Sequence, residues 1–209
     1  MKGLLLKDLY MIKTYCRAYF LIVAVFLAVS VSSNGNIFFT FYPCMIIGMI
    51  PVTLLGYDEQ SKWNEYCGAL PYSKSQIVSA KYIIGLSAQI LLIILSSAVQ
   101  AVRMAITDTF SSVDLLQIIQ MLISLSLITS SISLPFMFRF GIEKGRIAYY
   151  VMIGIACAGS FIAANAFGKK EINPQISFNS VLVIICLAAV ALYALSWFLS
   201  IKFYEKRES

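Results

Sequence analysis

Charged residues divide this chain into long uncharged stretches. Runs without Asp, Glu, Lys or Arg cover residues 18–57, 82–102, 115–138, 147–168 and 172–201. Each meets or exceeds the ~20 residues that a helix needs to cross about 30 Å of hydrocarbon. The first run would reach about 60 Å as one helix, twice the required length, so it must fold back. Ser32-Ser33-Asn34-Gly35-Asn36 supplies the turn. Six spans are therefore predicted, near 18–32, 37–57, 80–102, 115–138, 147–166 and 179–201. The stretches are continuously apolar rather than alternating, which favours helices over a barrel.

Composition sharpens this picture. Of 209 residues, 60% are hydrophobic and 12% charged, and the mean hydropathy is +0.84. A soluble chain of this size cannot hide so much apolar surface, and a disordered chain would be polar. The expected fold class is an all-α integral membrane protein with six transmembrane helices, forming a single domain over 1–209. Basic residues then set its orientation. Thirteen of the sixteen Lys and Arg flank the N-terminus, the second and fourth loops and the tail; Arg103, Lys169 and Lys170 lie on the other side. Both termini are therefore expected in the cytoplasm. No basic stripe interleaved with aromatics lies outside the membrane flanks, so nucleic acid is not an expected partner.

Several chemistries have no residues to carry them. The chain has no histidine, which removes imidazole acid–base work and His-ligated metals. It has no GxxxxGK[ST] motif to cradle a nucleotide. No charged residue is expected within a span, which argues against an ion-coupled pump, although Gln89, Gln100 and Asn165 are polar groups there. No catalytic, cofactor-binding or metal-ligating residues are expected. Cys16, Cys44, Cys67, Cys157 and Cys186 all fall in spans or on the expected cytoplasmic side and imply no disulfide framework.

Residues 1–16 lack the apolar core and cleavage site of a signal peptide. On a helical wheel Leu5, Leu9, Ile12 and Cys16 share a face, with Lys7 and Thr14 opposite. That suits a helix lying in the interface; the alternative is an inward extension of the first span. The loop 58–76 is the longest polar segment between spans. Its stretch Gln60 to Tyr66 predicts a short helix ending near Gly68. Trp63 and Tyr66, i and i+3, either anchor the loop at headgroup level or present a knob to a partner. Pro43 and Pro51 predict a bent second span, mobile or static. Ser126, Ser130 and Ser133 share a face of the fourth span, where they line a pathway or bond back to their own helix. Ser111-x-x-Asp114 has the spacing of a capping box and predicts the start of that span. Gly154-x-x-x-Ala158, Gly159-x-x-x-Ala163 and Ser126-x-x-x-Ser130 allow close helix approach.

Four stretches are similar to the permease subunits of ABC-2-type transporters, in the branch that includes the phenol-soluble modulin exporter of Gram-positive bacteria. They are Met1 to Asp8; Asp58-Glu59 through Trp63 with Leu70-Pro71-Tyr72-Ser73-Lys74 and Ser79-Ala80-Lys81-Tyr82; Leu134-Pro135-Phe136 with Phe140 to Arg146; and Ser200 to Lys206. The resemblance implies an ABC-2-type permease architecture with an N-terminal amphipathic interfacial helix. It implies that the loop between spans two and three carries a coupling helix, Asp58 to Tyr66, docking on a separate cytoplasmic ABC ATPase subunit. Trp63 and Tyr66 would be anchors there. Asp58, Glu59 and Glu65, together with Lys62, would be charged contacts. The loop 139–146, through Arg139, Glu143, Lys144 and Arg146, would be a second contact. Pro43, Pro51, Ser126, Ser130 and Ser133 are candidates for pathway or hinge. No cofactor is expected on this chain; ATP and Mg would be used by the partner. A second permease subunit and the lipid bilayer of a bacterial cell membrane complete the expected assembly. Amphipathic peptides or hydrophobic toxic compounds are the substrates that the resemblance implies. The competing readings are a membrane scaffold or sensor partner without transport, and a membrane enzyme, for which no activated nucleophile is arranged.

Overall fold

The computed structural model describes residues 2–32, 38–67, 72–141 and 178–207, together with positions 144, 147, 150, 151, 154 and 158. The elements are helices: α1 Lys2–Tyr15, α2 Arg17–Ser32, α3 Phe38–Gly48, α4 Ile50–Gln60, α5 Trp63–Cys67, α6 Lys74–Ile106, α7 Ser112–Phe140 and α8 Phe178–Arg207. Four stretches are long and apolar enough to cross a membrane: Phe38–Gln60, α6, α7 and Asn179–Lys206 within α8. The α1–α2 pair, bent by 65°, makes a fifth if it is counted as one span. Four to five spans are thus described where six were expected. The expected span 147–166 lies largely outside the described residues. The expected first span is α2, whose 16 residues rise only about 24 Å, short of the roughly 30 Å of hydrocarbon.

Local chemistry explains the helix ends. Ser73 caps α6: its hydroxyl accepts from the Gln76 amide at 3.3 Å, and the Gln76 side chain accepts from the Ser73 amide at 3.4 Å. This reciprocal pair moves the start of the third span from the expected 80 out to Lys74. Ser111 caps α7 through the Asp114 amide at 3.4 Å. Gly141 stops α7 with φ 83°, a conformation that side chains rarely adopt. The second span is interrupted at Met49. Pro51 has no amide to donate back to Ile47, so α4 starts afresh there.

Hydrocarbon competes evenly with apolar side chains, so polar contacts and close packing must bind these helices together. Helix α6 supplies many of them from one stripe. The Tyr82 hydroxyl lies 2.8 Å from Ser196 Oγ and 2.7 Å from Ser200 Oγ, and the Tyr193 hydroxyl donates to the Tyr82 carbonyl at 3.0 Å. Trp197 stacks on Tyr82 with ring centroids 5.5 Å apart and donates to Ser79 Oγ at 3.1 Å. These contacts join α6 to α8. Further along, the Gln89 amide donates to the Ser126 carbonyl at 3.3 Å and to the Ser130 hydroxyl, joining α6 to α7. Near the far end Gln100 donates to Ser30 Oγ at 3.0 Å and to Thr40 Oγ1, joining α6 to α2 and α3. Gly85 makes the tightest approach: a Cβ there would sit 2.7 Å from Cγ of Pro51.

Candidate functional site

At the end of the bundle where α1, α4, α5 and α6 meet, four charges form a closed ring. Lys7 Nζ is 2.5 Å from Asp58 Oδ1, Lys81 Nζ is 2.6 Å from Asp58 Oδ2 and 2.8 Å from Asp8 Oδ1, and Lys7 Nζ is 3.5 Å from Asp8 Oδ1. Cations and anions alternate, so the ring is neutral. It is also dry on three sides: the side chains of Asp8, Lys81 and Asp58 are 2%, 3% and 6% exposed, and only Lys7, at 24%, reaches water. Isolated charges would not survive such burial; full pairing is what permits it.

This arrangement corrects two sequence expectations. The first is where the span-forming helices end: Lys81 lies about two turns inside α6, and Asp58 is still on α4, which runs on to Gln60 rather than ending near 57. The second is the face of α1. Ile12 and Cys16 are buried and Leu5 packs against them as expected, but Leu9 is exposed, and Leu4 and Asp8 are buried in its place. Lys7 was expected to point away from the apolar face and instead turns into the ring. Helix α1 meets α2 at a bend of 65°. Its contact with the protein is set by charge as much as by apolarity.

The ring also breaks the expected loop helix. After Gln60 the chain turns at Ser61 and Lys62, with Ser61 donating to the Tyr57 carbonyl at 2.9 Å. Lys62 adopts a left-handed φ of 54°, unusual for a residue with a side chain. Helix α5 then begins at Trp63. The expected Gln60–Tyr66 helix is thus two pieces with a sharp elbow between them, and Gly68 lies outside the described residues. The two aromatics part ways at the elbow. Trp63 turns inward, with the Lys7 ammonium 4.0 Å from its ring centroid. Tyr66 faces out, 68% exposed. Glu59 and Lys62 are exposed, and the side chain of Glu65 lies outside the described residues.

The other expected site residues are scattered. Arg139 sits in the last turn of α7, 5.0 Å from the Phe140 ring and 5.1 Å from the Phe203 ring. Lys144 is exposed; Glu143 and Arg146 lie outside the described residues. Pro43 is buried inside α3, and Pro51 packs on Gly85. Of the α7 hydroxyls, Ser126 donates to the Ile123 carbonyl at 3.0 Å and Ser133 to the Thr129 carbonyl at 2.7 Å, whereas Ser130 accepts from Gln89. A small cleft, about 190 Å³, is lined by Tyr19, Thr53, Gly56, Tyr57 and Gln60. Among the described residues no group of three or more Cys, Asp or Glu is placed to hold a metal ion. Sequence reasoning missed Lys7, Asp8 and Lys81 as a site. Their signal was present as charges bordering apolar runs, but borders are where loop charges also sit.

These features define a polytopic helical membrane protein whose N-terminal helix, elbow and longest helix are pinned together by buried charge. The model of the ABC-2 family transporter proteins matches residues 3–205, and the chain belongs to that family. It is a membrane permease component of an ABC transporter, the transmembrane rather than the catalytic part. No curated protein and no solved structure gives a significant match to it.

Proposed function

We propose that this permease works in an ATP-driven exporter and that its elbow is the dock for a separate ATP-binding subunit, which binds ATP and Mg. The observation that carries the reading is Tyr66. It is an aromatic side chain 68% exposed on a short helix whose neighbour Trp63 is held from inside by Lys7. An exposed aromatic on a braced support is the usual form of an interface anchor. In this reading Glu59, Lys62 and Glu65 are rim contacts, while Asp58 serves the ring rather than the partner. Arg139 and Lys144 form the second contact. The basic end is cytoplasmic, in keeping with the distribution of Lys and Arg. A second permease subunit completes the pathway, and the apolar interior suits amphipathic peptides or hydrophobic toxic compounds. Pro43 and Pro51 bend the span that leads to the dock.

The test is co-purification with a subunit carrying a GxxxxGK[ST] motif, quantified by binding in detergent. Tyr66→Ala should weaken the complex by about 2 kcal/mol or more, about 30-fold in Kd, while the chain still inserts and keeps its fold. An unchanged Kd would refute the dock. Recovery of the wild-type chain with no such subunit would instead favour a non-transporting scaffold.

A further inference from the structure

We infer that Lys7, Asp8 and Lys81 are positioning residues for coupling, which pass a displacement of the elbow to α1 and α6 through the four-charge ring. The inference rests on the reading of the elbow as the ATPase dock.

The ring has the right connections for this. Asp58 is on the arm that leads into the elbow, Lys81 is on α6, and Lys7 and Asp8 are on α1. Asp58 touches both lysines, and Asp8 touches both as well. Any movement of α4 therefore loads α1 and α6 together. Trp63 closes the link on the elbow side by covering Lys7. Helix α6 in turn reaches α8, α7 and the α2–α3 pair through Tyr82, Gln89 and Gln100. A pull on Lys81 is thus a pull on the helix that touches every other long helix described.

Charge suits this task better than apolar packing does. Apolar faces in a bilayer slide past one another at little cost, because lipid replaces either partner. Separating a dry ion pair leaves uncompensated charge, so the ring resists tension as well as compression. Buried ion pairs add little stability over apolar residues of the same volume, which leaves registry as the use that the geometry favours. Below the ring Pro51 fills the space over Gly85, so α4 and α6 are also engaged sterically.

The experiment uses the full chain with its co-purified ATP-binding subunit in lipid nanodiscs. Hydrogen exchange is compared with and without ATP plus orthovanadate. In the wild type and in Lys81→Arg, exchange should change at residues 63–67 and also at 2–15 and 74–85. In the paired variant Asp58→Leu with Lys81→Met, which removes one anion and one cation, the change at 63–67 should persist and those at 2–15 and 74–85 should be lost. Lys7→Gln, at the wet edge of the ring, tests the same link should the paired variant not fold: its α1 response should fall at least twofold, with the α6 response kept. Responses at α1 and α6 that survive in the paired variant, an unaltered α1 response in Lys7→Gln, or a wild type in which only 63–67 responds would overturn the relay. A wild-type elbow that ignores ATP would overturn the docking assignment itself, and the relay with it.

Discussion

Replacing Lys81 by Met keeps most of the length of the side chain and removes its charge. Asp8 then loses its 2.8 Å partner and Asp58 loses its 2.6 Å partner, leaving two buried carboxylates to share Lys7. Removing one member of a buried ion pair costs about 3–5 kcal/mol, because the charge left behind can neither pair nor hydrate. Lys7→Met should cost less, about 1–2 kcal/mol. That pair reaches water, so Asp58 can be rehydrated on that side while Lys81 still holds it. Asp58→Leu with Lys81→Met restores neutrality and leaves Lys7 beside Asp8. Its loss should be at least about 2 kcal/mol smaller than the sum of the two single losses. The assay is unfolding in mixed micelles of increasing SDS fraction, followed by circular dichroism, on the four members of the cycle. A loss below about 1 kcal/mol for Lys81→Met would place the pair among exposed ion pairs and refute a dry ring.

Three further outcomes follow from the packing of α6. Gly85→Ala drives a Cβ into the rigid Pro51 ring and should cost up to about 2 kcal/mol, overpacking less the helical preference of Ala; adding Pro51→Ala should remove most of that loss in the same unfolding assay. Gln100→Leu should cost less than about 1 kcal/mol, since Ser30 and Thr40 stay 3.2 Å apart and bonded to each other. Tyr82→Phe gives up both serine contacts and should cost about 0.6–1.7 kcal/mol, read as a shift in the SDS midpoint.

The spans were legible because lipid demands runs of apolar residues, and such runs need no knowledge of neighbours. The α7 cap at Ser111 was legible for the same local reason. The Ser73-x-x-Gln76 box is equally local, yet it lies in the stretch 58–76 that reads as loop, and the expected third span starts near residue 80 instead. The ring was not legible. Lys81 is 73 residues from Asp8, and Lys7 is 51 from Asp58, so no periodicity links them. Counting Lys and Arg treats each as a solvated flank, which suits Lys62 and misplaces Lys81. The wheel for α1 places Leu5, Ile12 and Cys16 but misses Asp8 through the same blindness: ranked by apolarity, Asp8 belongs outside, and its remote partner Lys81 brings it in. The split between Trp63 and Tyr66 involves a different remote partner, Lys7, whose ammonium sits over the Trp63 ring.

The separation of Asp8 from Lys81 also sets an order of assembly. Helix α1 leaves the ribosome before α4 and α6, so until those are made Lys7 and Asp8 have only each other within the ring. At about 5–20 residues per second, Asp8 waits about 4–15 s for Lys81 to be synthesised. During that interval the charges of α1 must stay hydrated. Its seat closes only when α6 arrives, so a helix made early is fixed in place by one made much later.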